Sequence, residues 1–352
     1  MNVYPDLIKH NLTSIIIEMA NDPALFVKNP GIDFSRNRKL PFDTVIQLLI
    51  SMGGNTIYKE LLESRGCSFD TVTTSAFIQQ RDKILPLALE FLFHRFTDSF
   101  HDTKDYRGYR LFAVDGSKLR IAHDPNDQDT YVQNRNGDKG YNMLHLNAMY
   151  DLCNKLYIDA LVQPVRHKNE NKALIDMVNR SNIAENVIIV ADRGFESYNI
   201  FAHVEQKGWN YLIRVKDINS NGILSALPLP SAEEFDISIQ RILTNKHRNN
   251  NKEIRTHPDI YKAVSNRVKF DFFDENKSYP ISFRVVRFKI KDDSFETIIT
   301  NLNQSYFSTD EIRKIYEKRW GILCVTFCYA HLFWRGFGLA EIFAGSGVKR
   351  CA

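Results

Sequence analysis

The run Val187-Ile-Ile-Val-Ala191, followed at once by Asp192, constrains this chain more than any other stretch. It is continuous, β-branched and too short for a buried helix. It therefore predicts a strand covered on both faces, which requires a sheet with helices on either side. Asp192 cannot join that core, because an ionised carboxylate is strongly disfavoured there unless it is paired or metal-bound. At the strand's carboxyl end it is either a turn residue, with Asp-Arg-Gly closing a βα connection, or a site residue. A second run of the same design, Leu111-Phe-Ala-Val114, ends in Asp115. That repetition weighs toward a site.

The surrounding periodicity gives an order of elements. Tyr109 to Val114, Met143 to Tyr150 and Lys155 to Val165 read as strands, the last two joined by the polar turn Asp151-Leu-Cys-Asn154. A helix over Asn169 to Arg180 follows, then the strand ending at Asp192. Next come a helix from Ser197 to Lys207 with Gly208 as its cap and a strand from Trp209 to Val215. The order β-β-β-α-β-α-β, with one acid on the first strand and one at the end of the fourth, is the ribonuclease H plan within the α/β class. It sets Asp115 and Asp192 side by side.

Residues 1 to about 100 read as helical, with Asp43 to Ser51 and Ile84 to Phe96 apolar at three- and four-residue spacing and breaks at Gly53-Gly54 and Arg65-Gly66. From Asp217 to Leu302 the pattern is alternating and helix-free: Phe235 to Ile242, Tyr261 to Val264, Val268 to Phe272, Ile281 to Ile290 and Phe295 to Thr300. This predicts an antiparallel β insertion, divided by the polar stretch Thr244 to Lys252. Ser308-Thr-Asp-Glu311 has capping-box spacing and opens a helix through Ile312, Ile315, Tyr316, Arg319 and Trp320. The expected division is a helical region 1–103, a first core part 104–216, a β-rich insertion 217–302, the start of the last core helix 303–322 and a tail 323–352.

Composition adds limits. At 352 residues the chain can bury a large core in two or three units. A net charge of +4 neither requires nor forbids a nucleic-acid partner, so binding rests on local patches such as Arg36-Asn-Arg-Lys39. That patch is either a solvated loop or a phosphate contact; Gln79, Gln80 and Arg81 are weaker groove-facing candidates. The five cysteines are sparse and uneven, which suits reduced thiols in the cytoplasm. No apolar run nears the roughly 20 residues needed to cross a bilayer, so no membrane role is expected.

Two carboxylates on rigid strand ends repel, and a divalent cation offsets the repulsion. Mg²⁺ or Mn²⁺ fits the hard oxygen ligands, whereas no His/Cys set has zinc spacing. Two such ions about 4 Å apart can serve phosphodiester displacement. A third carboxylate is then expected, and position 323 falls on the helix face of Tyr316 and Arg319. His123, His145 and His167 are expected in structural roles. Glu170 and Lys168 stand either near the site or as ordinary residues of a helix N-terminus, and the loop Gln133 to Gly140 is polar with DNA contact as one reading.

Asp115-Gly-Ser, Val-Ala-Asp192-Arg-Gly-Phe, the β-rich insertion and Tyr316-Glu-Lys-Arg319-Trp-Gly-Ile together resemble the IS4-type DDE transposases of bacterial insertion sequences. Lys39-Leu-Pro-Phe-Asp-Thr-Val-Ile-Gln-Leu-Leu-Ile and Ser75-Ala-Phe-Ile-Gln-Gln-Arg81 resemble that family's helical DNA-binding region. The resemblance covers residues 36 to 322. It implies metal-dependent cleavage at element ends and strand transfer by the freed 3′-hydroxyl, in a nucleoid-associated protein. Double-stranded DNA, as terminal inverted repeats and target, and a second copy of the chain are the implied partners. It assigns Asp115 and Asp192 as metal ligands and catalytic acids, and Tyr316 and Arg319 as phosphate-positioning groups. Arg193 either assists them or forms a turn salt bridge.

The chain departs from the family's Y-x2-R-x3-E-x6-K spacing at its last two positions, where Leu323 and Ala330 replace Glu and Lys. After Ile322 the composition changes: three of the five cysteines and one acid, Glu341, lie in residues 323–352. A frame change in the coding sequence would produce this break. The expectations are then a transposase lineage whose catalysis is impaired in this copy, a DNA-binding remnant that inhibits by occupying element ends, or a non-transposase ribonuclease H-like nuclease.

Overall fold

The computed structural model describes residues 3–36, 38–100, 103–134, 139–225, 227–246, 252–265, 269–291 and 294–322. Five helices come first: α1 (Val3–Asn21), α2 (Phe42–Ser51), α3 (Ile57–Ser64), α4 (Thr74–Arg81) and α5 (Pro86–Asp98). Local chemistry sets their ends. The Thr56 and Thr73 side chains accept hydrogen bonds from the Lys59 and Ala76 amides as N-caps, Pro86 opens α5, and Gly54 and Gly66 take positive φ where the breaks were expected. Ile16, Met19, Val45, Ile46, Phe77 and Leu92 close a hydrophobic cluster of their own. Gln80 and Arg81 are buried, at i+3 and i+4 from the core residue Phe77, and so cannot read a groove; Gln79 alone of the three is exposed.

One ten-stranded sheet carries the rest. Its strands are β1 (Arg110–Ile121), β2 (Tyr131–Val132), β3 (Tyr141–Asp151), β4 (Leu156–Pro164), β5 (Val187–Ala191) and β6 (Asn210–Val215), then β7 (Phe235–Thr244), β8 (Tyr261–Ala263), β9 (Ser278–Lys291) and β10 (Ser294–Thr300). The order is β2-β3-β1-β5-β6-β10-β9-β7-β8, with β4 also on β3. β1 is antiparallel to β3 and parallel to β5, which is parallel to β6. β10 returns antiparallel on β6, so the later strands extend the same sheet.

Helices cover both faces, as the doubly apolar β5 requires. Leu174, Met177 and Val178 of α6 (Glu170–Arg180) and Ile200, Phe201 and Val204 of α7 (Tyr198–Gln206) pack with Phe112, Val187 and Ile189. Leu111, Ile188, Val190 and Leu212 face the other way, against Ile312, Ile315 and Tyr316 of α9 (Thr309–Lys318). The expected capping box forms: the Ser308 hydroxyl accepts from the Glu311 amide and the Glu311 carboxylate accepts from the Ser308 amide. Arg284 on β9 ties this helix start to the sheet. Its Nε donates to Asp236 Oδ1 at 2.5 Å and its Nη1 to the Phe307 carbonyl at 2.7 Å, while the Thr309 hydroxyl donates to Asp236 Oδ2.

Three expectations for residues 217–302 are corrected. A short helix, α8 (Lys252–Thr256), interrupts the supposed helix-free stretch. β8 runs parallel to β7, not antiparallel, because α8 and its turn carry the chain back to the same end. The described part of Val268 to Phe272 is not a strand. Asp271 is instead tied to α7: its backbone amide donates to Asn199 Oδ1, and its Oδ2 accepts from Asn199 Nδ2 and lies 3.0 Å from His203 Nε2, while Phe270 packs edge-on and Phe272 at a tilt against Tyr279. Residues 247–251 of the polar stretch, 135–138 of the Gln133–Gly140 loop and the whole of 323–352, including Leu323, Ala330 and Glu341, lie outside the described residues.

Candidate active site

Strand register places the two aspartates. The last β1–β5 pair is Ala113 opposite Val190, and Asp115 and Asp192 each follow two residues later. Side chains alternate along a strand, so Asp115 continues the face of Leu111 and Ala113, and Asp192 that of Ile188 and Val190. Asp192 keeps extended backbone, φ −84° and ψ −178°, before the chain turns. Both acids thus stand on the face that α9 covers. Asp115 remains within β1, which runs on to Ile121 against β3, beyond the end expected at Val114. Asp192 caps a 3-10 turn over Arg193–Phe195, its Oδ1 accepting the Gly194 amide at 2.8 Å. It is therefore a turn residue and, by position, a neighbour of Asp115.

The electrostatics of Asp115 reflect this gathering. Burial raises its pKa above the ordinary carboxylate value; the Gly116 amide opposes that, the negative charges of Asp192 and Glu170 add to it, and the Arg319 guanidinium counters them. Arg319 is 5% exposed, at the C-cap of α9, over the rings of Tyr316 and Trp320. Its Nε and the buried Tyr316 hydroxyl complete no hydrogen bond among the described residues. Burial raises the Tyr316 pKa, so the hydroxyl stays protonated as a donor. Two unused buried donors beside two carboxylates make a place where an anion can be held near a cation. Arg193 is exposed and makes no ion pair among the described residues, so the turn salt bridge expected for it is absent there.

Glycines line the floor. A Cβ on Gly194 would stand 3.0 Å from Asp192 Oδ1 and 3.9 Å from Glu170 Oε2, and one on Gly116 would stand 2.7 Å from His145 Nε2 and 3.3 Å from Glu170 Cδ. The glycines let the backbone pack closely against Asp192, His145 and Glu170, and the carboxylate oxygens of Asp115 and Asp192 are the donor type that suits a hard divalent cation. Among the described residues no three His, Cys, Asp or Glu side chains already converge as a closed metal cluster. His145, expected in a structural role, sits across the β1–β3 ladder from Lys118, its buried ring 3.1 Å from the Glu170 carboxylate. His167 pairs instead with Asp129 at 3.0 Å on the surface. No helix among the described residues is long and apolar enough to cross a membrane.

Residues 106–322 match the family described as Transposase DDE domain. The relative "Putative transposase InsZ" of Escherichia coli (strain K12) is 25% identical over 185 residues, covering 50% of this chain and 61% of that protein. The chain therefore spans less than two thirds of that relative's length. Asp115, Asp192, Tyr316 and Arg319 all fall inside the family span, which takes in most of the chain. The chain belongs to the transposase DDE domain family.

Proposed function

We propose that this protein recognises the ends of an insertion sequence and carries out metal-dependent DNA cleavage and strand transfer at Asp115 and Asp192. The observation that carries the reading is their common register, two residues past the pair Ala113–Val190 and on the face beneath α9. The order β4-β3-β1-β5-β6, antiparallel then parallel, supports a ribonuclease H-like core. The Tyr316–Arg319 spacing supports the IS4-type subgroup.

Asp115 and Asp192 would supply the oxygens that hold Mg²⁺ or Mn²⁺. When bound, such an ion supplies Lewis acidity toward phosphate and lowers the pKa of an attacking water or 3′-hydroxyl. The chain's own groups do the rest. Arg319 and Tyr316 direct their unused donors at the non-bridging oxygens of the scissile phosphate. Gly116 and Gly194 let the backbone approach the site closely. The new P–O bond forms as the bond to the leaving oxygen breaks, the attacking hydroxyl giving its proton to solvent and the leaving oxygen taking one from it, while Asp115 and Asp192 outweigh the single Arg319 guanidinium in charge.

DNA is held first through charge. Exposed Arg36 and Arg38 line a cavity of about 420 Å³ with Lys83 and Gln80, beside Lys39, which pairs with Asp70. These cations are the phosphate contacts assigned to the helical region 1–103. A second reading, a DNA-binding remnant without cleavage that pairs with intact copies, is favoured by Leu323 at the family's glutamate position. Gel shifts with terminal inverted repeats across salt concentration test binding, and adding Mg²⁺ separates the readings. Specific binding with cleavage supports the first; specific binding with no cleavage supports the second.

A further inference from the structure

The cavity of about 420 Å³ in the helical region combines apolar lining, Ile32 and Phe34, with the side chains of Arg36, Arg38, Gln80 and Lys83. Both arginines are exposed, and neither makes an ion pair or a side-chain hydrogen bond among the described residues. The carboxylate of the lining, Asp33, is already engaged: its Oδ2 accepts from the Asn29 backbone amide and side chain, and its Oδ1 lies 4.0 Å from Lys83 Nζ. Three cations therefore share the cavity with one carboxylate, a balance that favours an anion.

Gln80 is what a plain phosphate contact leaves unexplained. The residue is 9% exposed, and its Oε1 accepts from Lys83 Nζ at 3.2 Å, which fixes the direction of the amide. Its Nε2 completes no hydrogen bond among the described residues, so a buried donor borders the cavity unused. The base edges of an intact duplex cannot reach that depth; only a group that enters the cavity can meet it. With Oε1 taken, the amide offers a donor alone, which suits a ring nitrogen or carbonyl oxygen of a base. Phe34 presents the apolar surface that a planar base needs, from a turn at φ +59°, a backbone conformation that bulky side chains rarely adopt. Backbone phosphate alone would need neither the apolar lining nor the amide.

We propose that this cavity binds one unpaired nucleotide, its phosphate on Arg36 and Arg38 and its base against Phe34 and Gln80. The inference rests on the reading of these arginines as phosphate contacts. The nucleotide is either free or carried unpaired at a DNA end, and the test separates the two sources. Calorimetry follows deoxynucleoside monophosphates and inorganic phosphate binding to the full chain, for the parent, Gln80→Met and the double variant Arg36→Ala with Arg38→Ala, with circular dichroism verifying each fold. The parent is expected to bind nucleotide about tenfold or more tighter than phosphate, and Gln80→Met to lose about that factor for nucleotide while phosphate binding is unchanged. Equal binding of the two ligands by the parent, or parent-like nucleotide binding by Gln80→Met, would overturn the pocket alone. Should Gln80→Met fail to fold, the arginine variant, changed only at exposed positions, is expected to lose nucleotide binding, and retained binding would overturn the pocket. Blunt duplex bound by that variant as tightly as by the parent would overturn the phosphate reading beneath it. Displacement of bound nucleotide by a duplex with one unpaired terminal nucleotide, but not by the blunt duplex, supports the pocket with DNA as the source. Displacement by neither supports it with a free nucleotide as ligand, and equal displacement by both would overturn it.

Discussion

Asp115 and Asp192 occupy equivalent places on two parallel neighbours, each two residues past the pair Ala113–Val190. The ladder brings them together, and the turn that Asp192 caps through the Gly194 amide fixes the second of them. What the ladder does not set is the roof of the site, which depends on where α9 docks.

That docking runs through Arg284 and Asp236. Arg284 is 3% exposed, and its guanidinium joins β7, β9 and the start of α9. Asp236→Ala leaves a buried charge without its partner and is expected to cost about 3–5 kcal/mol. Hydrogen exchange at the Ile312 and Ile315 amides should then accelerate, while the Val187–Ala191 amides stay protected.

Tyr316 separates stability from function. Its buried hydroxyl completes no hydrogen bond among the described residues, so Tyr316→Phe is expected to hold or raise stability, by up to about 1 kcal/mol, in thermal melts. The same change removes a donor assigned to phosphate. Strand cleavage, if donor and phosphate meet, should fall about tenfold, the effect of roughly 1.4 kcal/mol.

Gly116 is required for space and not for backbone freedom. Gly116→Ala would set a methyl group 2.7 Å from His145 Nε2, within a closely packed site. The expected cost is about 1–3 kcal/mol in urea denaturation. Gly208, whose φ is +77° with open space around it, tests the opposite case. Gly208→Ala should be destabilising through backbone strain alone and leave DNA cleavage unaffected.

The pair Asp217–Arg287 gives a pH signature far from the site. Hydrogen bonding from Arg287 holds Asp217 down, to about 2 from 3.8. A folded pKa below the unfolded one means that the stabilisation is present above the unfolded value and lost as pH falls through the folded one. Asp217→Asn should therefore be less stable than the parent at neutral pH, by under about 1 kcal/mol because the carboxylate is partly exposed. The difference should close as pH falls from 3.8 to about 2 in denaturant melts.

Much of this arrangement was legible in the chain. Val187–Ala191 could only be a two-sided strand, and the acids ending it and Leu111–Val114 followed from the cost of burying charge. The capping box at Ser308–Glu311 was equally local. What could not be read was set by partners distant in sequence. β10 joins β6 through Ile299 opposite Ile213, a pairing no periodicity reveals. Phe270 and Phe272 looked like strand residues because they alternate, but the Asp271 contacts with Asn199 and His203 draw that segment onto α7. Glu170 was legible either as a residue near the site or as an ordinary helix start, but its 3.1 Å contact with His145, on a different strand, was not.

The most direct test is strand cleavage of DNA bearing the element ends in Mg²⁺, comparing the parent with Asp115→Asn, Asp192→Asn and the double variant. Residues that act as one unit lose function together, so each single variant is predicted to lose about as much as the double. Cleavage by Asp192→Asn at the parent's rate would contradict the account.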